Sequence, residues 1–319
     1  MAEMIIVSDY AGERFAKKLA LELNCQYVPV EIKYFPDGEP DIEIMDSIRG
    51  KEVYYICPFF PDPVKRDSEI KFVNSALKYS SADKIIDVPT YLGFMKKDSK
   101  DRARVPISIR EVAVSMEPYV NRVVTIDMHS PQIQGMFRVP LDHLDGTVLF
   151  ANHIKEKYDT SKIIITSPDV GGVKRTRKLV ERLGSKELAI VYKIRDPKTG
   201  DIITEEVIGN VEGKKAILID DQAISLDTLC EGAKIVKSKG AEEVYAYCTH
   251  GLMASRKGVT AESKLANSMI EKLYITDTIP RAEQYFEENP KLGLISCVDY
   301  FSEALRRIHN NKSLSELFR

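Results

Sequence analysis

The segment from Phe35 to Glu39 combines an aromatic ring with carboxylates in the order Phe-Pro-Asp-Gly-Glu. The ring could stack on a heterocycle, and Asp37 and Glu39 could accept hydrogen bonds from amino groups on that heterocycle. Proline and Asp-Gly are also ordinary turn residues, so a solvated acidic turn explains the same pattern. The segment is therefore either the rim of a site for a ring that carries amino groups or a solvated surface turn.

A basic run and a histidine follow two other apolar segments of the first half. Residues 96–104 hold five cations and two anions, a local net charge of +3, and begin with Lys96-Lys97-Asp98. The run lies just beyond the end of a predicted strand, where α/β folds bind ligands, so it predicts either a polyanion site or a solvated charged loop. His129 also ends a predicted strand and could contact a metal or a phosphate, or be structural.

A glycine turn and an acidic pair end two predicted strands of the second half. Residues 167–175 read SPDVGGVKR, in which backbone N–H groups near a helix N-terminus can approach an anion. Asp169 in this turn suits Mg²⁺, which takes few carboxylates together with phosphate oxygens. Asp220 and Asp221 can face one ligand only where the chain leaves the strand, because neighbouring strand residues point to opposite faces. An ordinary turn and one structural aspartate are the alternative interpretations.

Alternating apolar runs and helical periods predict the elements that position these segments. The predicted strands are Met4–Val7, Val53–Cys57, Ile85–Val88, Val123–Met128, Ile163–Thr166, Ala189–Tyr192, Ala216–Asp220 and Val244–Cys248. The predicted helices are Arg14–Leu23, Glu69–Tyr79, Ile107–Met116, Val148–Tyr158, a segment from Val173, and one near Thr228–Ser238. Strands that are apolar throughout indicate covered parallel sheets and the α/β class, with Tyr34–Met45 as an antiparallel excursion.

Two sheets are more plausible than a single sheet of ten or more strands. The best boundary lies near Asp145-Gly146, which predicts an N-terminal domain over 1–145 and a C-terminal domain over 146–299. A C-terminal helix at about 300–319 could pack back on the first domain.

Composition excludes several classes of protein. The 319 residues include 46 Lys+Arg and 48 Asp+Glu, a net charge of 46 − 48 = −2, and 44% hydrophobic residues, which indicates a globular chain. The near-zero net charge argues against a broad nucleic-acid surface. Five dispersed cysteines predict a reduced, cytoplasmic protein, and no signal peptide or membrane span is expected.

Together these segments resemble ribose-phosphate pyrophosphokinases, also called phosphoribosyl diphosphate synthetases. FPDGE resembles the family's FSDGE, and YLGFMKKD followed by ARVPI resembles its Tyr-Gly-Tyr…Gln-Asp…Ala-Arg-Val-Pro-Ile run. IDMHSPQIQGMF resembles VDLHAxQIQGFF, SPDVGGVKRTR resembles SPDxGGVxRAR, and SLSELF resembles a common ending. The matches follow the family order over nearly the whole chain, so the chain is identified as a member.

The resemblance implies two phosphoribosyltransferase-type domains and a Mg²⁺-dependent transfer of the β,γ-diphosphate of ATP to the anomeric hydroxyl of ribose 5-phosphate. It also implies a homo-oligomer, either a dimer or a hexamer, in which a neighbouring subunit helps to form the ATP site. It assigns ATP binding to Phe35, Asp37, Glu39, Lys96, Lys97, Asp98 and His129. It assigns sugar-phosphate binding to Asp169, Asp220, Asp221, Ser225, Asp227 and Thr228, metal contacts to His129 and Asp169, and catalysis to Lys193 and Arg195 on a mobile loop.

The sugar-phosphate loop departs from the family pattern DDxxDTGGT-LC. Asp220–Cys230 reads DDQAISLDTLC, with Ile224 in place of the third aspartate, Ser225 in place of threonine, and Leu226-Asp227 in place of two glycines. Those glycines let backbone N–H groups wrap a terminal phosphate, and Asp227 adds a negative charge that is unfavourable unless a cation intervenes. Three hypotheses follow: ribose 5-phosphate bound by a rebuilt loop, an extended acceptor such as ADP-ribose (giving ADP-ribose pyrophosphate), or a non-catalytic regulatory subunit.

Overall fold

The computed structural model describes residues 2–195 and 202–318, with side chains except at positions 194–195, 202–204 and 318. Within these ranges no helix combines the length and apolar character needed to cross a membrane.

Strands and helices alternate along the chain, with one short 3-10 helix before β7, another before β8 and a third near the C-terminus. The strands are β1 (Met4–Ser8), β2 (Gln26–Tyr34), β3 (Pro40–Ile44), β4 (Glu52–Ile56), β5 (Lys84–Val88), β6 (Arg122–Ile126), β7 (Leu141–Leu144), β8 (Ile163–Ser167), β9 (Leu188–Arg195), β10 (Ile202–Ile208), β11 (Lys215–Gln222), β12 (Glu243–His250), β13 (Lys272–Thr276) and β14 (Leu292–Ile295). The helices are α1 (Glu13–Leu23), α2 (Pro63–Tyr79), α3 (Ser108–Met116), α4 (Thr147–Lys157), α5 (Val173–Arg182), α6 (Asp227–Ser238), α7 (Ala261–Ala266), α8 (Glu283–Glu288) and α9 (Val298–His309).

Each half of the chain builds one seven-stranded sheet. The strand orders are β3-β2-β1-β4-β5-β6-β7 and β10-β9-β8-β11-β12-β13-β14. Among the strands of the described residues, only the edge pairs β2–β3 and β9–β10 are antiparallel, and the remaining neighbours are parallel. The predictions of an α/β class, two mainly parallel sheets and an antiparallel excursion near Tyr34–Met45 are therefore confirmed.

Contacts divide the chain into two compact units. The first unit comprises residues 1–145, 278–280 and 297–319, and the second comprises 146–277 and 281–296. Helix α9 belongs to the first unit, where Phe301 packs edge-on against Phe15 of α1 with ring centroids 5.5 Å apart. The C-terminal helix is shorter than predicted, since it ends at His309 and the left-handed Asn311 (φ 54°) turns the chain away.

Some predicted boundaries were wrong for identifiable reasons. Helix α2 begins at Pro63 rather than Glu69, because the Asp62 carboxylate accepts hydrogen bonds from the backbone N–H groups of Val64 and Lys65 and caps a charged first turn. Strand β11 continues to Gln222 rather than ending at Asp220. Hydrophobic periodicity alone does not show where a helix or strand continues through polar residues.

A buried carboxyl group in β5 makes stability depend on pH. Asp87 and Asn74 are fully buried, and the Asn74 amide donates to Asp87 Oδ2 at 2.6 Å. Burial raises the pKa of Asp87 to about 8, although the Asn74 hydrogen bond opposes the shift. The folded protein therefore holds this proton over a range in which the unfolded chain, with an aspartate pKa of about 3.9, has lost it.

We expect stability to fall as pH rises from about 4 to 8, by up to about 1.4 kcal/mol per pH unit for this group alone. Asp87→Asn removes the titration and can pair reciprocally with Asn74, so its melting temperature should exceed that of the wild type at pH 8 and lie near it at pH 5. Calorimetry at both pH values measures this, with the exposed Asp83→Asn as control. An equal shift at both pH values would contradict the assignment.

Candidate active site

The predicted adenine-binding segment forms the turn of the β2–β3 hairpin. The Gly38 N–H donates to the Phe35 carbonyl at 2.9 Å, and Gly38 takes a φ of 91° that favours glycine. The Phe35 ring is 51% exposed, and Asp37 and Glu39 are also exposed. The turn thus presents an aromatic face and two carboxylates to solvent, where a nucleobase can reach them.

A buried charge cluster anchors the base of this hairpin. The Arg66 guanidinium, fully buried on α2, lies 2.8 Å from Asp9 Oδ2 and 2.5 Å from Glu69 Oε2. Glu69 also accepts hydrogen bonds from the hydroxyls of Tyr10 and Tyr34. Because Tyr34 directly precedes Phe35, this cluster holds the strand that carries the exposed ring. Burial raises the pKa of Tyr10 to about 12, with Arg66 opposing and Glu69 reinforcing the shift, so the hydroxyl remains a donor.

Two of the predicted ATP-binding residues, Asp98 and His129, lie close together beyond the ends of β5 and β6. The Ser130 hydroxyl donates to Asp98 Oδ2, and the Ser99 hydroxyl donates to Asp98 Oδ1 at 3.0 Å. Burial opposes ionisation of Asp98, but these hydrogen bonds and the nearby His129 outweigh it and hold the pKa below its usual value. Lys97 pairs with Asp101 at 2.7 Å. The structure thus brings Asp98 and His129 together, beside a loop that also carries Lys96.

The Phe35 turn and the Asp98 group follow strands that are not neighbours in the sheet. Strand β2 lies three neighbours from β5 in the order β2-β1-β4-β5. Three interstrand steps of about 4.8 Å separate these strands by about 14 Å.

In the second unit, the glycine turn after β8 is built around Asp169. The Gly172 N–H donates to Asp169 Oδ1 at 3.0 Å, and the Ser167 hydroxyl donates to the Asp169 carbonyl at 2.6 Å. A Cβ on Gly172 would lie 2.8 Å from Ser167 Oγ, so only glycine fits without a shift. The exposed Asp169 carboxylate keeps its second oxygen available beside the first turn of α5.

Arg175 joins this turn to the acidic pair. Strand β11 neighbours β8, and the Arg175 guanidinium lies 3.4 Å from Asp220 Oδ1 and 3.5 Å from Asp221 Oδ1. Burial and the adjacent Asp221 carboxylate raise the pKa of Asp220, and Arg175 opposes the shift. Asp220 and Asp221 both lie inside β11, although the strand was expected to end at Asp220. The Arg175 guanidinium nevertheless reaches both carboxylates. Sequence reasoning assigned Arg175 no role.

Two cations from outside the altered loop neutralise Asp227. Asp227 begins α6 and its Oδ2 accepts hydrogen bonds from Ser225 at 2.7 Å and Arg256 at 2.6 Å, while Oδ1 pairs with Lys264. These contacts, chiefly with Lys264 and Ser225, hold the pKa of Asp227 well below its usual range. Buried Leu226 takes the left-handed conformation at φ 60°, which glycine adopts without strain.

Backbone hydrogen bonds place Arg256 beside the loop. The Ala254 N–H donates to Ile224 O at 2.8 Å, and the Met253 N–H donates to Ala223 O at 2.9 Å. Arg256 and Lys264 follow Asp227 by 29 and 37 residues, and no sequence pattern connects them to it. Thr228, also predicted to bind the sugar phosphate, is half-buried in the first turn of α6.

The predicted catalytic pair lies on β9, next to the edge strand. Lys193 is on the strand itself, its side chain is 10% exposed, and its Nζ lies 3.3 Å from Glu231 Oε2 on α6. Arg195 ends the strand, and its side chain falls outside the described residues, as do residues 196–201 of the expected mobile loop. Lys193 is therefore held by a carboxylate rather than placed on a loop.

The residues predicted to contact a metal are spread over both units. In the described part of the chain no group of three or more His, Cys, Asp or Glu side chains could hold a metal ion. His129 and Asp169 each offer one exposed side chain. Such sparse ligands fit Mg²⁺ only together with water and substrate phosphate oxygens.

Comparisons with known proteins decide the family. Residues 4–118 match the N-terminal domain of ribose phosphate pyrophosphokinase, and residues 162–319 match the phosphoribosyl synthetase-associated domain. The ribose-phosphate pyrophosphokinase of Fusobacterium nucleatum is 39% identical over 98% of this chain and 97% of its own length. That of Thermosipho africanus is 38% identical over 99% of this chain and 98% of its own length. The chain belongs to the ribose-phosphate pyrophosphokinase family.

The fold of a solved family member agrees. The crystal structure of phosphoribosylpyrophosphate synthetase from Mycobacterium smegmatis superimposes with a TM-score of 0.87 at 28% identity, covering 97% of this chain and 99% of that one. The predictions of the family, of a phosphoribosyltransferase-type α/β fold and of an ATP-dependent diphosphotransferase are confirmed.

Proposed function

We propose that this pyrophosphokinase transfers the β,γ-diphosphate of ATP to the anomeric hydroxyl of a ribose 5-phosphate moiety. The anomeric oxygen attacks the β-phosphorus, the bond from that phosphorus to the α,β-bridging oxygen breaks, AMP leaves, and the hydroxyl proton is released. The acidic pair carries this proposal: Asp220 and Asp221, joined by Arg175, lie at the carboxyl end of β11 beside the loop that starts α6. Adjacent carboxylates can accept hydrogen bonds from vicinal ribose hydroxyls.

The first unit supplies the ATP side of this proposal. Lys96, Lys97 and His129 would face phosphate oxygens, and Asp98, held ionised by Ser130 and Ser99, would orient His129. Lys96 and Lys97 keep positive charge but lack the stacking and forked geometry of arginine. Mg²⁺, when bound, would cancel phosphate charge; His129 would supply at most one ligand on the ATP side, and Asp169 at most one on the acceptor side.

The exposed hairpin turn supports a homo-oligomer, as a dimer or a hexamer. Strand β2, which leads into Phe35, lies about 14 Å from β5, the strand that precedes Asp98. We propose that Phe35, Asp37 and Glu39 serve the ATP site of a neighbouring subunit. A cytoplasmic location is part of the same proposal and fits the free cysteines at positions 25, 57, 230, 248 and 297.

A second acceptor is favoured by the contacts of Asp227. Arg256 and Lys264 supply two positive charges and Asp227 removes one, which leaves a net charge of +1 beside the phosphate loop. A phosphodiester carries one negative charge, as does the ribose-proximal phosphate of ADP-ribose, whereas the monoester of ribose 5-phosphate is a dianion. The loop therefore supports ADP-ribose as the alternative acceptor, giving ADP-ribose pyrophosphate.

Phosphorus NMR with Mg·ATP and either acceptor tests the proposal. We expect AMP to appear together with new diphosphate resonances on the accepting sugar. Turnover with ribose 5-phosphate alone would exclude the extended acceptor, and turnover with ADP-ribose alone would exclude the rebuilt loop. ATP binding without AMP release in either reaction would contradict both and support a regulatory subunit instead.

Removing the charge of Asp227 should improve the use of the dianionic acceptor. In Asp227→Asn, Arg256 and Lys264 lose their carboxylate partner and become available to phosphate. We expect the KM for ribose 5-phosphate to fall by about three- to tenfold, which corresponds to about 1 kcal/mol, with a smaller change for ADP-ribose.

Asp299→Asn is the matched control, since Asp299 also lies in the first turn of a helix, in the first unit. An increase in the KM for ribose 5-phosphate in the Asp227 variant would show that the carboxylate helps to bind the acceptor.

A further inference from the structure

Gln222, the last residue of β11, has a buried side chain whose hydrogen-bonding groups are unused. It is 9% exposed, and among the described residues neither its amide nitrogen nor its amide oxygen has a hydrogen-bond partner. A buried amide without partners gives up its hydrogen bonds to water and forms none in their place. Such a group in a native structure requires an explanation, and a ligand is one.

Strand alternation places Gln222 on the same face as Asp220. Ala216 and Leu218 pack in the cluster that includes Leu229 and Ala233 of α6, whereas Ile217 and Ile219 pack with α4 and α5. Even-numbered positions of β11 therefore face α6, because side chains alternate along a strand. Gln222 consequently lies on the α6 side, directly after the acidic pair and directly before the altered loop.

The unused groups match what the altered loop lacks. Ile224 stands where the family pattern has a third aspartate, so this edge has one polar side chain fewer to offer the acceptor. A primary amide both donates and accepts hydrogen bonds, and a sugar hydroxyl does the same. The amide lies two residues before Ile224, at the carboxyl end of the strand where α/β folds bind ligands.

We infer that the Gln222 amide binds a hydroxyl of the ribosyl acceptor and supplies the hydrogen bond that Ile224 cannot make. This inference rests on the proposed function, because it takes the acceptor site to lie at the end of β11. It makes Gln222 a specificity-determining residue that the family motifs do not contain.

Gln222→Met tests the inference, because Met has a similar shape and no hydrogen-bonding amide. We expect the KM for the acceptor to rise about tenfold, the effect of removing one or two hydrogen bonds, while the KM for ATP stays within about twofold. The melting temperature without ligand should rise, because an unpaired buried amide has been removed. The acceptor affinity obtained from the thermal shift with ribose 5-phosphate or ADP-ribose should fall by a similar factor, about tenfold.

Gln284→Met, on the exposed surface of α8, is the control and should change none of these values. A lower melting temperature of the unliganded Gln222 variant would mean that the amide has a partner within the protein. An unchanged acceptor KM together with an unchanged thermal shift would mean that the acceptor does not bind the amide. Either result overturns the inference. If the wild type releases no AMP but its acceptor-induced thermal shift still depends on Gln222, the proposed transfer fails and the binding role stands. If neither acceptor shifts the wild type, the binding role fails as well.

Discussion

Lys193→Ala is expected to reduce diphosphate transfer by about 10³-fold, the lower range for loss of a cation that stabilises a phosphoryl-transfer transition state. Such reactions depend on positioning and charge cancellation, so a lysine near the transferred group acts mainly in the transition state. The KM for ATP should stay within about threefold, because an interaction made only in the transition state changes kcat and not ground-state binding. Steady-state kinetics with isothermal titration of ATP measures both quantities.

Lys215→Ala provides the matched control for Lys193. Lys215 also pairs with a glutamate, Glu243. It is the first residue of β11 and therefore lies at the amino ends of the parallel strands of the same sheet, away from their carboxyl ends. Its turnover should equal that of the wild type. Equal turnover of the Lys193 variant would remove that residue from the mechanism.

Arg66→Met should destabilise the protein by about 3–5 kcal/mol, because it leaves the buried Asp9 and Glu69 carboxylates without their cation. The melting temperature should fall by roughly 6–20 °C. The exposed Arg49→Met, which loses only a hydrogen bond to Ser81, should change it little. Adding Asp9→Asn and Glu69→Gln to the Arg66 variant should recover part of the loss, because no unpaired charge remains. A triple variant as unstable as the single one would assign the loss to packing.

Sequence motifs indicated those candidate groups whose members lie close together along the chain. The acidic pair at 220–221, the Asp169 turn and the Asp98 segment could all be found because strand ends in an α/β fold bring polar residues to one edge. The same reasoning expected the charge of Asp227 to be unfavourable unless a cation intervenes. It could not identify the cations, because Arg256 and Lys264 come from a loop and a helix that are distant along the chain.

The buried cluster at the base of the hairpin was missed for a related reason. Arg66 and Glu69 lie in a charged stretch that suggests a solvated helix face, and only the tertiary structure shows that α2 buries both side chains. Gln222 gave no signal either, because a single polar residue after two aspartates resembles the start of a loop. Hydrophobic periodicity reports apolar burial and carries no information on polar groups that are buried by pairing or by a ligand.

The two sheet orders point to an internal duplication. Adding seven to each strand number of the first order gives the second. The first paired residues are Met4–Glu52 in one sheet and Ile163–Lys215 in the other, so Cys57 and Pro58 correspond to Asp220 and Asp221, since 57 − 52 = 220 − 215 = 5. The first copy thus carries an apolar pair at the positions where the second copy carries the two aspartates. On the proposed assignment of sites, such divergence would leave acceptor choice to the second copy, where it can evolve without disturbing the ATP side in the first.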